Sequence, residues 1–392
     1  MIRLGVVTTH PIQYYAPWFR FLASQPELDV RVFYLWDFGV TDRLDKGFGR
    51  AISWDVPLLD GYASEFVPNV SRNPGTHHYR GIDNPGLVSA LKAFAPSAVL
   101  CIGYNYASFM RLLFRRPLGN VPLLHRGDSH RLVPRRGLRA RVRQWLLKFL
   151  FRRFRAFLYV GSANRAYLTM HGVPDERLFF CPHAIDNDRF TTAWPETQAA
   201  AFAWKRELGI PDEKAVILFA GKFNDTKRPL DLLAAFKRGG LVDAALLYVG
   251  EGHLEAQLRA ESKAVPNVYF APFQNQSLMP RTYAAADLVV LPSYPGETWG
   301  LCINEAQCLG RAVIVSNVVG CGSDLVEHGK TGFVFPATNV DALADCLRDA
   351  LADRERLKAI GEAGRQRVRN YNYAAATKGL MDALKWLNVQ RV

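Results

Sequence analysis

Short apolar runs recur along this chain, with room for one helix between successive runs. Residues 2–9, 28–36, 97–103, 121–124 and 157–160 form one series, and residues 215–220, 244–249, 268–271, 287–292 and 312–315 form a second. A run that is apolar at consecutive positions suits a strand buried on both faces, as in a parallel sheet covered by helices. Strand, helix and strand in alternation give parallel pairs joined by right-handed crossovers. The two series therefore predict an α/β chain with two doubly wound parallel sheets, and 392 residues suffice for two such domains. With 49% hydrophobic residues, both cores can be filled.

The most informative loop follows the run 287–292. It reads Ser293-Tyr-Pro-Gly-Glu-Thr-Trp-Gly and leads into a helix predicted over 300–309. In an open parallel sheet, ligands sit beyond the C-terminal ends of the strands, where helix N-termini favour negative charge. Gly296 and Gly300 remove the Cβ atoms that would block a phosphate. Glu297 and Glu305 frame the turn, and a carboxylate accepts hydrogen bonds from two neighbouring hydroxyls, as on a sugar or a ribose. Residues 221–229, Gly-Lys-Phe-Asn-Asp-Thr-Lys-Arg-Pro, place Lys222 and Lys227 in another strand-to-helix loop. Two ammonium groups there would meet the charge that grows on a departing diphosphate.

Glu297 and Glu305 have the E-x7-E spacing of retaining GT-B glycosyltransferases. With the preceding Pro-Ser, the glycine before the helix and the strand 312–315, the stretch most resembles family 4. The first loop, His10-Pro-Ile-Gln-Tyr, resembles a bacterial subgroup of that family. The resemblance covers essentially the whole chain and is more specific in the second half. It implies the GT-B architecture, two Rossmann-like domains facing an interdomain cleft. Residues 1–190 would be the acceptor-side domain, 191–213 a linker or hinge, 214–372 the nucleotide-sugar domain and 373–392 a helix crossing back to the first domain.

The activity so implied is transfer of a sugar from a nucleoside-diphosphate sugar to a hydroxyl acceptor with retained anomeric configuration. A UDP-sugar is the first expectation for the donor and GDP-mannose the second. The expected acceptor is a lipid-linked glycan or polysaccharide precursor at the cytoplasmic membrane face. In that scheme Lys222 and Lys227 grip the diphosphate, Glu297 orients the donor sugar and Glu305 holds the ribose. Trp299, where Phe is common, would shape the sugar pocket, and Gly221, Gly250, Gly252, Gly300 and Leu301 would line the donor site. Phe273 and Gln274 would flank the nucleobase, with Pro272 standing where glycine is usual. No metal or cofactor is expected. Asp186-Asn-Asp188 spells the D-x-D of another glycosyltransferase fold, but nothing nearby in sequence completes a coordination shell. A GT-B sugar-nucleotide epimerase and a non-catalytic sugar-nucleotide-binding protein are the alternatives.

In the first half, His10 ends a strand, where an imidazole can bond a phosphate or an acceptor hydroxyl, or simply its loop neighbours. Gln13, Tyr14 and Tyr104 are candidate acceptor-side residues. Residues 46–49 and 54–62 are aromatic and turn-rich, fitting either acceptor contacts or a packed meander. Arg126 can clamp an anion and Asp128 can accept a proton, unless the two form a local ion pair.

Of the net charge of +13, ten units come from residues 131–155, which contain no acid, leaving +3 for the rest of the chain. Leu138, Val142, Trp145, Leu146, Phe149, Leu150 and Phe154 recur there at helical spacing beside Arg139, Arg143, Arg152 and Arg153. Such a helix can lie on an anionic leaflet, or pack in the core with its arginines reaching solvent. No recognised nucleic-acid module accompanies it, so nucleic acid is not an expected partner. The six cysteines have neither C-x-x-C nor zinc spacing and read as reduced thiols. No apolar run reaches transmembrane length and no signal-peptide pattern opens the chain, so the expectation is a cytosolic protein, peripheral on the inner membrane if the basic segment meets lipid.

Overall fold

The computed structural model describes residues 1–41, 43–45, 50–115, 117–134 and 136–387. Residues 46–49, candidate acceptor contacts by sequence, lie outside the described residues. The chain divides into two compact units. The first comprises Met1–Arg43, Val56–His183 and Tyr373–Val392, and the second Leu44–Asp55 and Ala184–Asn372. Residues 191–213 cluster with the second unit, where the helix Trp194–Glu207 packs on the helix Met279–Ala284.

In the first unit, β1 (Ile2–Thr8) pairs in parallel with β2 (Leu28–Tyr34). A separate two-stranded sheet, β3 (Arg43–Asp45) and β4 (Arg50–Ile52), lies almost wholly in the segment Leu44–Asp55 that clusters with the second unit. The remaining strands are β5 (Ala63–Phe66), β6 (Ala98–Ile102), β7 (Leu123–Gly127), β8 (Ala156–Tyr159) and β9 (Leu178–Phe180). The order β5-β2-β1-β6-β7-β8-β9 puts the reversal of winding between β1 and β6. Successive residues of one strand feed opposite faces: Leu4, Val6 and Leu100 enter one core cluster, Val7, Val99 and Cys101 the other. That is why these strands read as unbroken apolar runs.

The last helix, Tyr373–Trp386, buries Ala376, Leu380, Ala383 and Leu384 in the same cluster as Leu4. Those positions lie at helical spacing on one stripe. Thr377 beside them accepts the indole N–H of Trp18 at 3.2 Å. The helix is thus part of the first unit's core, and Leu380→Ala would cost about 2–5 kcal/mol.

The second unit carries β10 (Ala215–Ala220), β11 (Ala244–Val249), β12 (Val268–Ala271), β13 (Leu288–Leu291), β14 (Ala312–Ser316) and β15 (Phe333–Phe335). All pairs are parallel, in the order β12-β11-β10-β13-β14-β15. Here the winding reverses between β10 and β13. The two loops singled out by sequence, 221–229 and 292–300, leave the C-terminal ends of those two adjacent strands. No helix among the described residues is long and apolar enough to cross a membrane.

Candidate functional site

The loops after β10 and β13 are tied together. Tyr294 donates its backbone N–H to the Thr226 carbonyl at 2.8 Å. Across that junction the Lys227 ammonium contacts the Glu297 carboxylate, which also accepts from the Ser293 hydroxyl at 3.1 Å. The Glu297 main chain is pinned as well, its carbonyl accepting from Gly320 N–H at 3.1 Å. Burial alone would lower the Lys227 pKa, but the adjoining Glu297 carboxylate outweighs it and the net shift is upward. At neutral pH this lysine is therefore an ammonium, with three donors to distribute. Lys222 occupies the same loop, partly buried.

Backbone packing explains two of the glycines. The loops after β10 and β11 run in contact, Gly221 N–H to the Val249 carbonyl and Phe223 N–H to the Glu251 carbonyl. A Cβ on Gly250 would stand 2.0 Å from the Gly221 carbonyl oxygen, so the glycine turn is first a requirement of that approach. Gly300 holds φ +97° and a Cβ there would meet Leu291 at 2.7 Å. It starts the helix Leu301–Cys308, within which Ile303 to Cys308 are all buried.

Glu305 is 1% exposed and accepts the Tyr283 phenol at 2.7 Å. Trp299 is buried too, its indole N–H held by Asn304 at 2.9 Å and its ring 5.9 Å from Tyr371. Leu301 is partly buried. After β12, the Phe273 N–H reaches Glu251 at 3.4 Å, and the Gln274 side chain accepts from Arg281 at 2.8 Å. Trp54 lies 6.2 Å from the Phe273 ring, and its neighbours Ser53 and Asp55 accept from Asn275 and Ser277. Tyr62, from the same aromatic stretch, instead packs inside the first unit, its hydroxyl 2.6 Å from that of Tyr34. Asp186 caps a short helix by accepting from Arg189 N–H at 3.2 Å.

In the first unit, His10 follows β1, bonded to the Thr9 hydroxyl at 3.0 Å and set edge-on to Trp36 and Phe38. Gln13 and Tyr14, partly buried, fill the turn before the helix Ala16–Ala23. Tyr104 follows β6 and packs against His125 and Phe151, and burial raises its phenol pKa. Arg126 is 2% exposed. It donates to the Tyr15 hydroxyl at 3.1 Å and to the Cys181 and Pro182 carbonyls at 3.3 and 2.9 Å. Its guanidinium also lies over the Tyr15 and Trp18 rings. These contacts make it a brace between β7, the first helix and the segment after β9, where the sequence left an anion clamp and a local ion pair with Asp128 as alternatives. Asp128 lies 3.5 Å from the His183 imidazole. Sequence reasoning passed over Tyr15, His183, Tyr283 and Ser293. Only Ser293 had a local signal, its place directly after the strand that leads to Glu297.

The basic segment forms the helix Leu138–Phe151. One edge, Leu147, Leu150 and Phe151, is buried. Leu138, Val142, Trp145, Leu146 and Phe149 are exposed, Trp145 at 67%. Arg139, Arg143 and Arg152 are exposed with them, and Arg153 is partly buried.

Residues 201–367 match the family model described as glycosyl transferases group 1. Over 301 residues the chain is 26% identical to sulfoquinovosyl transferase SQD2 of Arabidopsis thaliana, an alignment covering 75% of this chain and 57% of that one. Over 222 residues it is 30% identical to a GDP-mannose-dependent alpha-(1-6)-phosphatidylinositol monomannoside mannosyltransferase of Mycobacterium tuberculosis, covering 54% of this chain and 56% of that one. The chain spans about half the length of the curated relatives it matches. Its structure is similar to that of Anabaena HepE in complex with UDP and glucose, with a TM-score of 0.73 at 16% identity over 98% of this chain and 100% of that one. Two parallel Rossmann-like sheets, matched over nearly the whole chain, give it the fold of the GT-B glycosyltransferase structures. The glycosyl transferases group 1 match falls wholly within the second unit.

Proposed function

We propose that the chain transfers a sugar from a nucleoside-diphosphate sugar to a hydroxyl acceptor with retention at the anomeric carbon, as in family 4. The observation that carries this reading is the Lys227–Glu297 pair, placed on the two loops that flank the reversal of winding in the second sheet. A crevice at such a point is where α/β folds bind ligands. The ammonium supplies charge for a diphosphate and the carboxylate supplies acceptors for sugar hydroxyls.

In the reaction the bond from the anomeric carbon to the diphosphate oxygen breaks, and a bond to the acceptor oxygen forms on the same face. The departing diphosphate oxygen takes the acceptor's proton, while Lys222 and Lys227 offset its charge. Glu297 orients the donor sugar, and Glu305 holds the ribose once its Tyr283 contact is shared. The donor is a UDP-sugar, in keeping with the UDP and glucose in the HepE complex, with GDP-mannose second, in keeping with the mycobacterial mannosyltransferase.

The acceptor is a lipid-linked glycan or polysaccharide precursor at an anionic membrane surface. An exposed row of Trp145, Phe149 and Leu146 among arginines favours this, since aromatic and basic groups together suit a headgroup interface. A thermal-shift screen of nucleotide sugars, followed by turnover with lipid-linked acceptors, tests the reading. A stabilising donor that yields free nucleoside diphosphate and a glycosylated acceptor supports it. A donor converted to an isomer without any acceptor would point instead to an epimerase.

A further inference from the structure

Where the basic helix ends, the first unit holds a cavity of about 360 Å³, lined by Leu112, Leu113, Leu118 and Leu123 and by Arg153 and Arg155. That volume lies near the lower end of the roughly 300–1,000 Å³ of small-ligand pockets. Arg153 also lies over the rings of Phe114 and Phe149, at 5.2 and 5.1 Å, which holds its guanidinium in one place. From there an exposed aromatic row runs along the helix. Phe114 stacks on Phe149 at 5.8 Å, and Phe149 on Trp145 at 6.4 Å. Phe114 is 43% exposed although it directly follows the lining residue Leu113. Among the described residues, neither Arg153 nor Arg155 makes an ion pair, and residues 131–155 contain no acid to supply one.

We propose that this cavity seats the phosphate of an anionic phospholipid headgroup on Arg153 and Arg155, with the acyl part lying against Phe114, Phe149 and Trp145. A guanidinium offers a phosphate a forked pair of donors, and aromatic rings suit the boundary between headgroup and chain. A free anion would use the arginines but gain nothing from the aromatic row. A lipid phosphate uses both, and so the structure favours it. The inference rests on the membrane reading above, to which it adds a defined lipid seat.

The test uses the full chain and dihexanoyl phosphatidylglycerol below its micelle concentration. Binding is followed by titration calorimetry, beside inorganic phosphate and beside co-sedimentation with phosphatidylcholine vesicles containing phosphatidylglycerol. The soluble lipid should bind at least about tenfold tighter than inorganic phosphate. Arg153→Gln with Arg155→Gln should abolish that binding. Arg139→Gln with Arg143→Gln, which removes the same charge outside the cavity lining, should leave it. Arg153→Lys, which keeps the charge but loses the fork, should weaken binding several-fold at an unchanged melting temperature.

Equal affinity for inorganic phosphate, or equal loss in both double variants, would overturn the proposal. If the wild-type chain sediments with anionic vesicles but does not bind the soluble lipid, the seat is wrong and the membrane reading stands. If it does not sediment with them at all, the membrane reading fails, and the lipid seat with it.

Discussion

Lys227 and Glu297 are 70 residues apart in the chain, yet their side chains meet where β10 and β13 end side by side. The contact exists because the Rossmann-like winding reverses between those two strands. Each loop delivers one charge, and the Tyr294 to Thr226 backbone bond fixes the distance between them.

Replacing Lys227 by alanine should lower turnover by about a hundredfold or more, since a positioned donor at a departing charge contributes roughly 2.7–4 kcal/mol. Release of nucleoside diphosphate at saturating donor is the measurement. The melting temperature should change little, because the Lys227 side chain is partly exposed and its partner Glu297 keeps the Ser293 bond.

Glu297→Gln should pull down the alkaline limit of activity. With Glu297 ionised, the Lys227 pKa is raised in spite of burial. That raised pKa means the pair's contribution to stability is complete below the ordinary lysine value of about 10.4 and fades as pH rises through the higher folded value. Without the carboxylate, burial is left to act and the ammonium loses its proton at lower pH. A pH–rate profile of the variant should show its basic limb shifted downward relative to wild type.

Arg126→Ala should unfold the first unit more readily, by about 3 kcal/mol or more, because it strands the Tyr15 hydroxyl and two buried carbonyls. Denaturant titration reads the loss directly. A variant of unchanged stability with impaired donor or acceptor binding would instead support the anion-clamp alternative.

His125 makes the first unit sensitive to acid. Burial among Tyr104, Phe151, Phe154 and Phe157 pushes its imidazole down to about 4. The unfolded chain then binds the proton more readily than the folded one between about pH 6.5 and 4. Stability is full above that window and declines as pH falls through it, by on the order of 3 kcal/mol from this residue. His125→Phe should flatten the decline in melting temperature across the same range.

Much of this arrangement was legible in the sequence because parallel strands covered on both faces need unbroken apolar runs, and their loops keep the charged residues in local order. Lys222, Lys227, Glu297 and Gly300 could all be singled out that way. The role of Arg126 could not, since its partners Tyr15 and Cys181 are 111 and 55 residues away and only the fold joins them. Glu305 raised the same difficulty, because the Tyr283 that holds it comes from a different helix. In the basic helix, apolar and charged side chains surround the axis, so spacing did not separate the buried Leu147 and Phe151 from the exposed Leu138 and Trp145.

In the proposed reaction, the loops after β10 and β13 receive a nucleoside diphosphate on Lys227. Calorimetric titration of UDP, UMP and uridine into wild type and Lys227→Ala tests it most directly, with the guanosine series run in parallel. The diphosphate should bind the wild type far more tightly than the monophosphate, and the substitution should erase this difference while leaving nucleoside affinity unchanged. A Lys227→Ala chain that still binds the diphosphate as tightly as wild type would contradict it.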